Sequence, residues 1–192
     1  MNHSKHKKKI RIGLDFDGVV AYNPLRVVRA PITFIKQKII KKKTTEFYIP
    51  TTPFMKFLFW LPHQCSFFPG RGMRYLRQLV QEENVEAYIV SGRYGYLDAQ
   101  IPKWLKKRNL QDIFTAVYAN ENNEQPHLYK ERMIKKLQLD YFIEDNLDIA
   151  EHLSRRTAVR IYWIYNIFDR CHPYPNKFVS PEEALKALYK SE

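Results

Sequence analysis

Five apolar runs punctuate this chain and do most to limit what it can fold into: "KIRIGLDF" at 9–16, "VEAYIVSG" at 85–92, "IFTAVYAN" at 113–120, "DYFIED" at 140–145 and "AVRIYWIY" at 158–165. Each has the length of a strand. In the first, Ile10, Ile12 and Leu14 share one face and Gly13 leaves the other without bulk; the later runs are apolar on both faces, as suits strands of a parallel sheet covered by helices on either side. Between them lie amphipathic helical patterns. Met73, Leu76, Leu79 and Val80 recur at helical spacing within 72–84, and Leu97, Ile101, Trp104 and Leu105 do so within 96–110, where Pro102 should start or kink the helix. Further helices are expected at 128–139 and 146–156. "SPEEALKALYK" closes the chain with Ser180 as N-cap, Pro181 at the first helical position and Glu183 completing a capping box. The alternation predicts an α/β fold, a Rossmann-like open parallel sheet flanked by helices. Residues 166–179 have no evident place in this pattern; covering the sheet edge and contacting a partner are both open.

Residues 21–70 separate the first strand from its crossover helix and are far longer than an ordinary connection. They predict a small, mainly helical cap inserted into a core made of 1–20 and 71–192. The first half of the insert mixes Val27, Val28, Ile32, Ile35, Ile39 and Ile40 with lysines, as a basic amphipathic helix or helix pair would; the second is aromatic and punctuated by proline. Its most apolar stretch, 53–62, is about half the length a bilayer span needs and contains Lys56. With Cys65 and Cys171 far apart, no metal-type spacing of Cys or His, and no apolar stretch behind the basic N-terminus, a cytoplasmic protein with free thiols is expected. The net charge of +12 favours anionic partners.

Ligands of open parallel sheets bind beyond the carboxyl ends of the strands. Asp15 and Asp17 end the first run, Ser91 the second, and Glu144 and Asp145 the fourth. So many carboxylates in one crevice call for a cation, and few hard oxygen ligands with room for water and substrate suit Mg²⁺. Each residue also has an ordinary reading: a turn for the aspartates, an N-cap for Ser91, helix N-terminal acids for Glu144, Asp145 and Asp148, and a solvated basic face for Lys130 beside Arg132, Lys135 and Lys136.

In order, "DFDGV" (15–19), "IVSGR" (89–93), Lys130 in "YKERMIKKL" and "YFIEDN" with Asp148 resemble the four motifs of the haloacid dehalogenase-like phosphatase superfamily. The resemblance covers the chain outside the insert. It implies Asp15 as nucleophile, Asp17 as general acid/base, and Ser91, Gly92 and Lys130 as phosphate holders. It also implies Asp15, Asp145 and the carbonyl of Asp17 as Mg²⁺ ligands, with Glu144 and Asp148 behind them. Arg93 is a candidate substrate contact. Glu144 departs from the more usual Asp of the fourth motif, which leaves open whether it meets the metal directly or through water.

An insert at this point resembles the superfamily's specificity caps, and the small cap on a compact core resembles the deoxyribonucleotidase branch. The implied function is Mg²⁺-dependent hydrolysis of a small phosphomonoester, a nucleoside monophosphate first, with sugar phosphates and phosphomutase chemistry open. The cap's aromatics are enough to form its own small core or to stack on a base. The competing class is a binding protein: Lys5, Lys7, Lys8, Lys9 and Lys41–Lys43 suit nucleic acid, and the basic insert with its "FMKFLFW" stretch suits an anionic membrane surface. The sequence leaves the oligomeric state undetermined.

Overall fold

The computed structural model describes residues 9–24, 51–63, 66–82, 85–98 and 100–188. The elements run β1 (Ile10–Leu14), β2 (Ala21–Tyr22), α1 (Pro53–His63), β3 (Phe68–Pro69), α2 (Met73–Gln81) and β4 (Val85–Tyr94). They continue with α3 (Gly95–Asp98), α4 (Gln100–Lys107), β5 (Phe114–Asn120), α5 (Pro126–Leu137), β6 (Tyr141–Glu144), α6 (Leu147–Arg156), β7 (Arg160–Ile164), β8 (Lys177–Phe178) and α7 (Pro181–Ala187). Six strands form one sheet in the order β5-β4-β1-β6-β7-β8, every pairing parallel. The order turns back at β1, between β4 and β6, so the crevice that an open α/β sheet offers to ligands lies beyond the end of β1.

Alternate residues of the strands feed two cores. Ile12, Leu14, Ile89, Ile143 and Ile164 pack with Leu76 of α2, Ile101 of α4 and Leu185 of α7, while Val90, Phe142, Ile161 and Trp163 pack with Met133 and Ile134 of α5 and Leu153 of α6. Helices therefore cover both faces, as the apolar runs required. Gly13 is bare for a reason seen across the sheet. It is the register partner of Phe142, and a Cβ on it would lie 2.5 Å from both the Phe142 ring and Leu139.

The helix expected over 96–110 is divided into α3 and α4, with Pro102 in the first turn of α4, where its missing N–H is not needed. Ser180 accepts from the Glu183 amide at 3.4 Å, and Glu183 reaches back to the amide of Val179 at 3.3 Å, one residue earlier than a strict capping box. Residues 166–179 cover the sheet edge through β8. The Trp163 amide donates to the Asn176 carbonyl and the Tyr165 amide to that of Phe178. Tyr174 packs edge-on against the fully buried Trp163 and donates to the Ile161 carbonyl.

Within 21–70, β2 and β3 pair antiparallel, Ala21 with Pro69 and Tyr22 with Phe68, so both ends of the segment leave the core side by side. The Gly70 amide donates to the Val20 carbonyl at 2.7 Å. The predicted basic helical half of the insert lies outside the described residues, as do lysines 5, 7, 8 and 41–43, Phe47, Tyr48 and Cys65.

Candidate active site

The run "LDFDGVV" builds the centre of the crevice by folding back on itself. The Asp15 amide extends the sheet by donating to the Ile143 carbonyl, and then the amides of Val20 and Ala21 return to the carbonyls of Asp15 and Phe16. Phe16, Val19 and Val20 are fully buried, with Phe16 edge-on to Trp104 at 5.3 Å. Burying these three apolar side chains leaves the two aspartates to face the crevice. Gly18 allows the turn. Its φ is +89°, and a Cβ there would stand 2.1 Å from Asp145 Oδ2, so the first motif can approach the fourth only through a glycine.

Asp15, Glu144 and Asp145 each bring one carboxylate oxygen within 4.8 Å of the others. Lys130, 2% exposed on the inner side of α5, reaches between them, its Nζ 3.0 Å from Asp15 Oδ1 and 2.6 Å from Glu144 Oε2. The other cations of its helix face outward: Arg132 pairs with Glu124 and Lys135 with Glu131. Burial lifts the Asp15 carboxyl well above the ordinary carboxylate range; Lys130 opposes the shift, and Glu144, Asp145 and Asp17 add to it. Burial likewise raises Glu144 against the pull of Lys130. For Lys130 burial alone would disfavour the charge, but Asp15 and Glu144 outweigh it and the ammonium lies above its usual value. Three carboxylates against one ammonium leave two negative charges when all are ionised. That surplus and the all-oxygen donor set fit one Mg²⁺ ion.

The other side chains occupy the neighbouring strand end. Ser91, 1% exposed, accepts from the Arg93 amide at 3.2 Å inside β4 rather than capping a helix. Gly92 lies against α5, where a Cβ would meet Pro126 at 3.0 Å and Lys130 Cε at 3.6 Å. Asp148 lies in the first turn of α6 behind the N-cap Asn146, whose side chain accepts from the Ile149 amide; it does not belong to the three-carboxylate group.

The folded chain divides the remaining candidates between two cations. The Asp17 carboxylate is not part of the candidate metal group and points to Arg93, whose Nε and Nη2 donate to Oδ2 and Oδ1, both at 2.7 Å. Arg93, expected to meet substrate, is engaged there and lies over the Phe16 ring at 4.6 Å. Glu144, for which direct and water-mediated contact with the metal were both open, stands in the group with Asp15 and Asp145. The common cause is burial: an interior guanidinium and an interior ammonium each need a carboxylate, and they divide the acids between them.

Ser66 was not apparent from sequence. Its hydroxyl donates to Asp17 Oδ1 at 3.0 Å, and its carbonyl accepts from Trp104 Nε1 at 2.6 Å. The return end of the insert thus touches the second aspartate. A lone serine between Cys65 and Phe67 carries no signal that would have singled it out.

No protein-family model matches the sequence, and no curated protein matches it. Solved structures do. A HAD-superfamily hydrolase from Ehrlichia chaffeensis aligns over 96% of this chain and 98% of its own at 13% identity and TM-score 0.54. β-Phosphoglucomutase from Clostridium difficile aligns over 96% and 98% at 12% identity and TM-score 0.57. YfnB of Bacillus subtilis, a HAD-hydrolase candidate solved with magnesium bound, aligns over 95% and 100% at 13% identity and TM-score 0.56. The chain has the fold of the haloacid dehalogenase-like hydrolases.

Proposed function

We propose that this protein is a Mg²⁺-dependent phosphatase that hydrolyses a small phosphomonoester through a phosphorylated Asp15. The observation that carries the reading is the group of buried Asp15 and Glu144 and half-buried Asp145 around Lys130, at the strand end where the sheet order turns back. A magnesium-bound structural neighbour supports the choice of ion. Asp15, Asp145 and Glu144 would hold it, and it would neutralise phosphoryl oxygens that otherwise repel a carboxylate.

An Asp15 oxygen attacks phosphorus, the ester P–O bond breaks, and the leaving oxygen takes a proton from Asp17. Water then attacks the acyl phosphate, gives a proton back to Asp17 and releases phosphate with Asp15 regenerated. Lys130 and the Ser91–Gly92 strand end hold the phosphoryl oxygens, Lys130 shifting from Glu144 as the phosphoryl group arrives. Since Arg93 and Ser66 occupy both Asp17 oxygens, proton transfer requires Arg93 to release one of them. The released guanidinium is then able to meet the anionic substrate, whose fork it matches.

A nucleoside monophosphate is the first substrate to try. The alternative is phosphomutase turnover, favoured by the likeness to β-phosphoglucomutase. The test is phosphate release from p-nitrophenyl phosphate with Mg²⁺ or with EDTA, for wild type and Asp15→Asn, followed by a panel of nucleotides and sugar phosphates. The reading expects release that needs Mg²⁺ and falls at least about a thousandfold in the variant. Release that survives in Asp15→Asn overturns it.

A further inference from the structure

In the sequence Trp104 is one apolar position among Leu97, Ile101 and Leu105, and in the folded chain it does more than fill space. It is half-buried on α4; its indole N–H donates to the Ser66 carbonyl at 2.6 Å, and its ring meets Phe16 edge-on at 5.3 Å. Both contacts lead to Asp17. Ser66, itself buried, places its hydroxyl on Asp17 Oδ1 at 3.0 Å, so the residue whose carbonyl is held by the indole is the one whose side chain reaches the carboxylate. Arg93 donates to both Asp17 oxygens and lies with its guanidinium 4.6 Å over the ring of Phe16, which is fully buried. Ser66 from the return end of the insert and Arg93 from β4 thus approach Asp17 over one common support.

Arg108 strengthens that support. Its amide donates to the Trp104 carbonyl at 3.2 Å, its guanidinium lies 5.9 Å over the Trp104 ring, and its side chain donates to the Phe67 carbonyl. Two side chains one helical turn apart therefore hold consecutive carbonyls of a segment 38 and 41 positions away in the chain. The same segment is fixed at its other end, where the Gly70 amide donates to the Val20 carbonyl at 2.7 Å. Packing accounts for the contact between Trp104 and Phe16. It does not account for two donors aimed at the two carbonyls beside the one hydroxyl that bonds Asp17. A group that exchanges a proton with a reacting oxygen needs such a support, because a displacement of about 1 Å can cost on the order of a hundredfold in rate.

We propose that Trp104, seconded by Arg108, is a positioning residue: it sets where Ser66 and Arg93 hold Asp17, and so the aim of the proton that Asp17 exchanges. Only the kinetic part of this inference rests on the phosphatase reading. The test joins urea unfolding to kinetics on the full chain. Ser66→Ala should lower the urea midpoint of wild type, and should lower that of Trp104→Phe by less than about half as much, since without the indole donor the hydroxyl is no longer kept on Asp17. Equal shifts in the two backgrounds overturn the proposal. In turnover, the phenolate of phenyl phosphate is the more basic leaving group and needs the proton of Asp17 more than p-nitrophenolate does. Trp104→Phe should therefore lower kcat/KM for phenyl phosphate at least about threefold more than for p-nitrophenyl phosphate, with either KM changing by less than about twofold. A packing defect would treat two esters of such similar shape alike, so equal losses, or a loss confined to KM, overturn the positioning role. Arg108→Met, which keeps the indole in place, should show the same ordering of the two esters at smaller size and carries the comparison if Trp104→Phe does not fold. Wild type that turns over neither ester overturns the phosphatase reading instead, and the urea comparison then decides by itself whether Trp104 holds Ser66 on Asp17.

Discussion

Replacing Lys130 by Met keeps the aliphatic stem beside Phe142 and removes the charge held between Asp15 and Glu144. At the observed separations of 3.0 and 2.6 Å each attraction is worth roughly 6 kcal/mol gross at an effective dielectric constant of 20, most of it offset by the cost of burying the charges. Removing one partner of a buried pair typically costs about 3–5 kcal/mol, because the remaining carboxylates are left without compensation. Lys130→Met in EDTA should therefore lose about that much at neutral pH, a large share of a domain's stability of about 5–15 kcal/mol. The loss should depend on pH with a definite sign. Asp15 and Glu144 take up protons more readily folded than unfolded, so acid neutralises them before the unfolded chain titrates, and the deficit should shrink as pH falls toward the ordinary carboxylate range. Adding Glu144→Gln should recover part of the loss, and Mg²⁺ should stabilise Lys130→Met more than wild type. Urea unfolding at several pH values, with EDTA or Mg²⁺, reads all of this. A deficit equal at pH 5 and pH 8, or none at all, would refute the reasoning.

In wild type without metal, stability should fall as pH rises through the raised values of Asp15 and Glu144, and Mg²⁺ should reverse the fall; coincident unfolding curves with EDTA and Mg²⁺ would count against the ion site. Gly18→Ala should cost about 1–3 kcal/mol from its positive φ and its collision with Asp145, and should weaken Mg²⁺ binding in calorimetry. Ser66→Ala should lower kcat on p-nitrophenyl phosphate about ten- to a hundredfold with little change in KM, since it removes a hydrogen bond to a charged group that acts in the chemical step. Ser66→Thr should restore most of that kcat, which a packing defect would not permit.

The sequence by itself determined the layers of this protein. Apolar runs of strand length, buried on both faces, can satisfy their side chains only inside a helix-covered sheet, and that need is local enough to read from 9–16 or 158–165. It also put Asp15 and Glu144–Asp145 at strand ends, because those strands stop where their apolar runs stop; β4 instead continues three residues beyond Ser91, to Tyr94. Tertiary structure alone decided how the charges divide. Arg93 reaches Asp17 across 76 positions, Ser66 reaches it across 49, and Lys130 enters between Asp15 and Glu144. No local pattern ranks these partners, since every arginine near every aspartate is a possible pair until burial makes one unavoidable. The edge strand β8 follows the same logic: Lys177 and Phe178 have no strand signal of their own and pair only because the free edge of β7 offers amides and carbonyls that must be met.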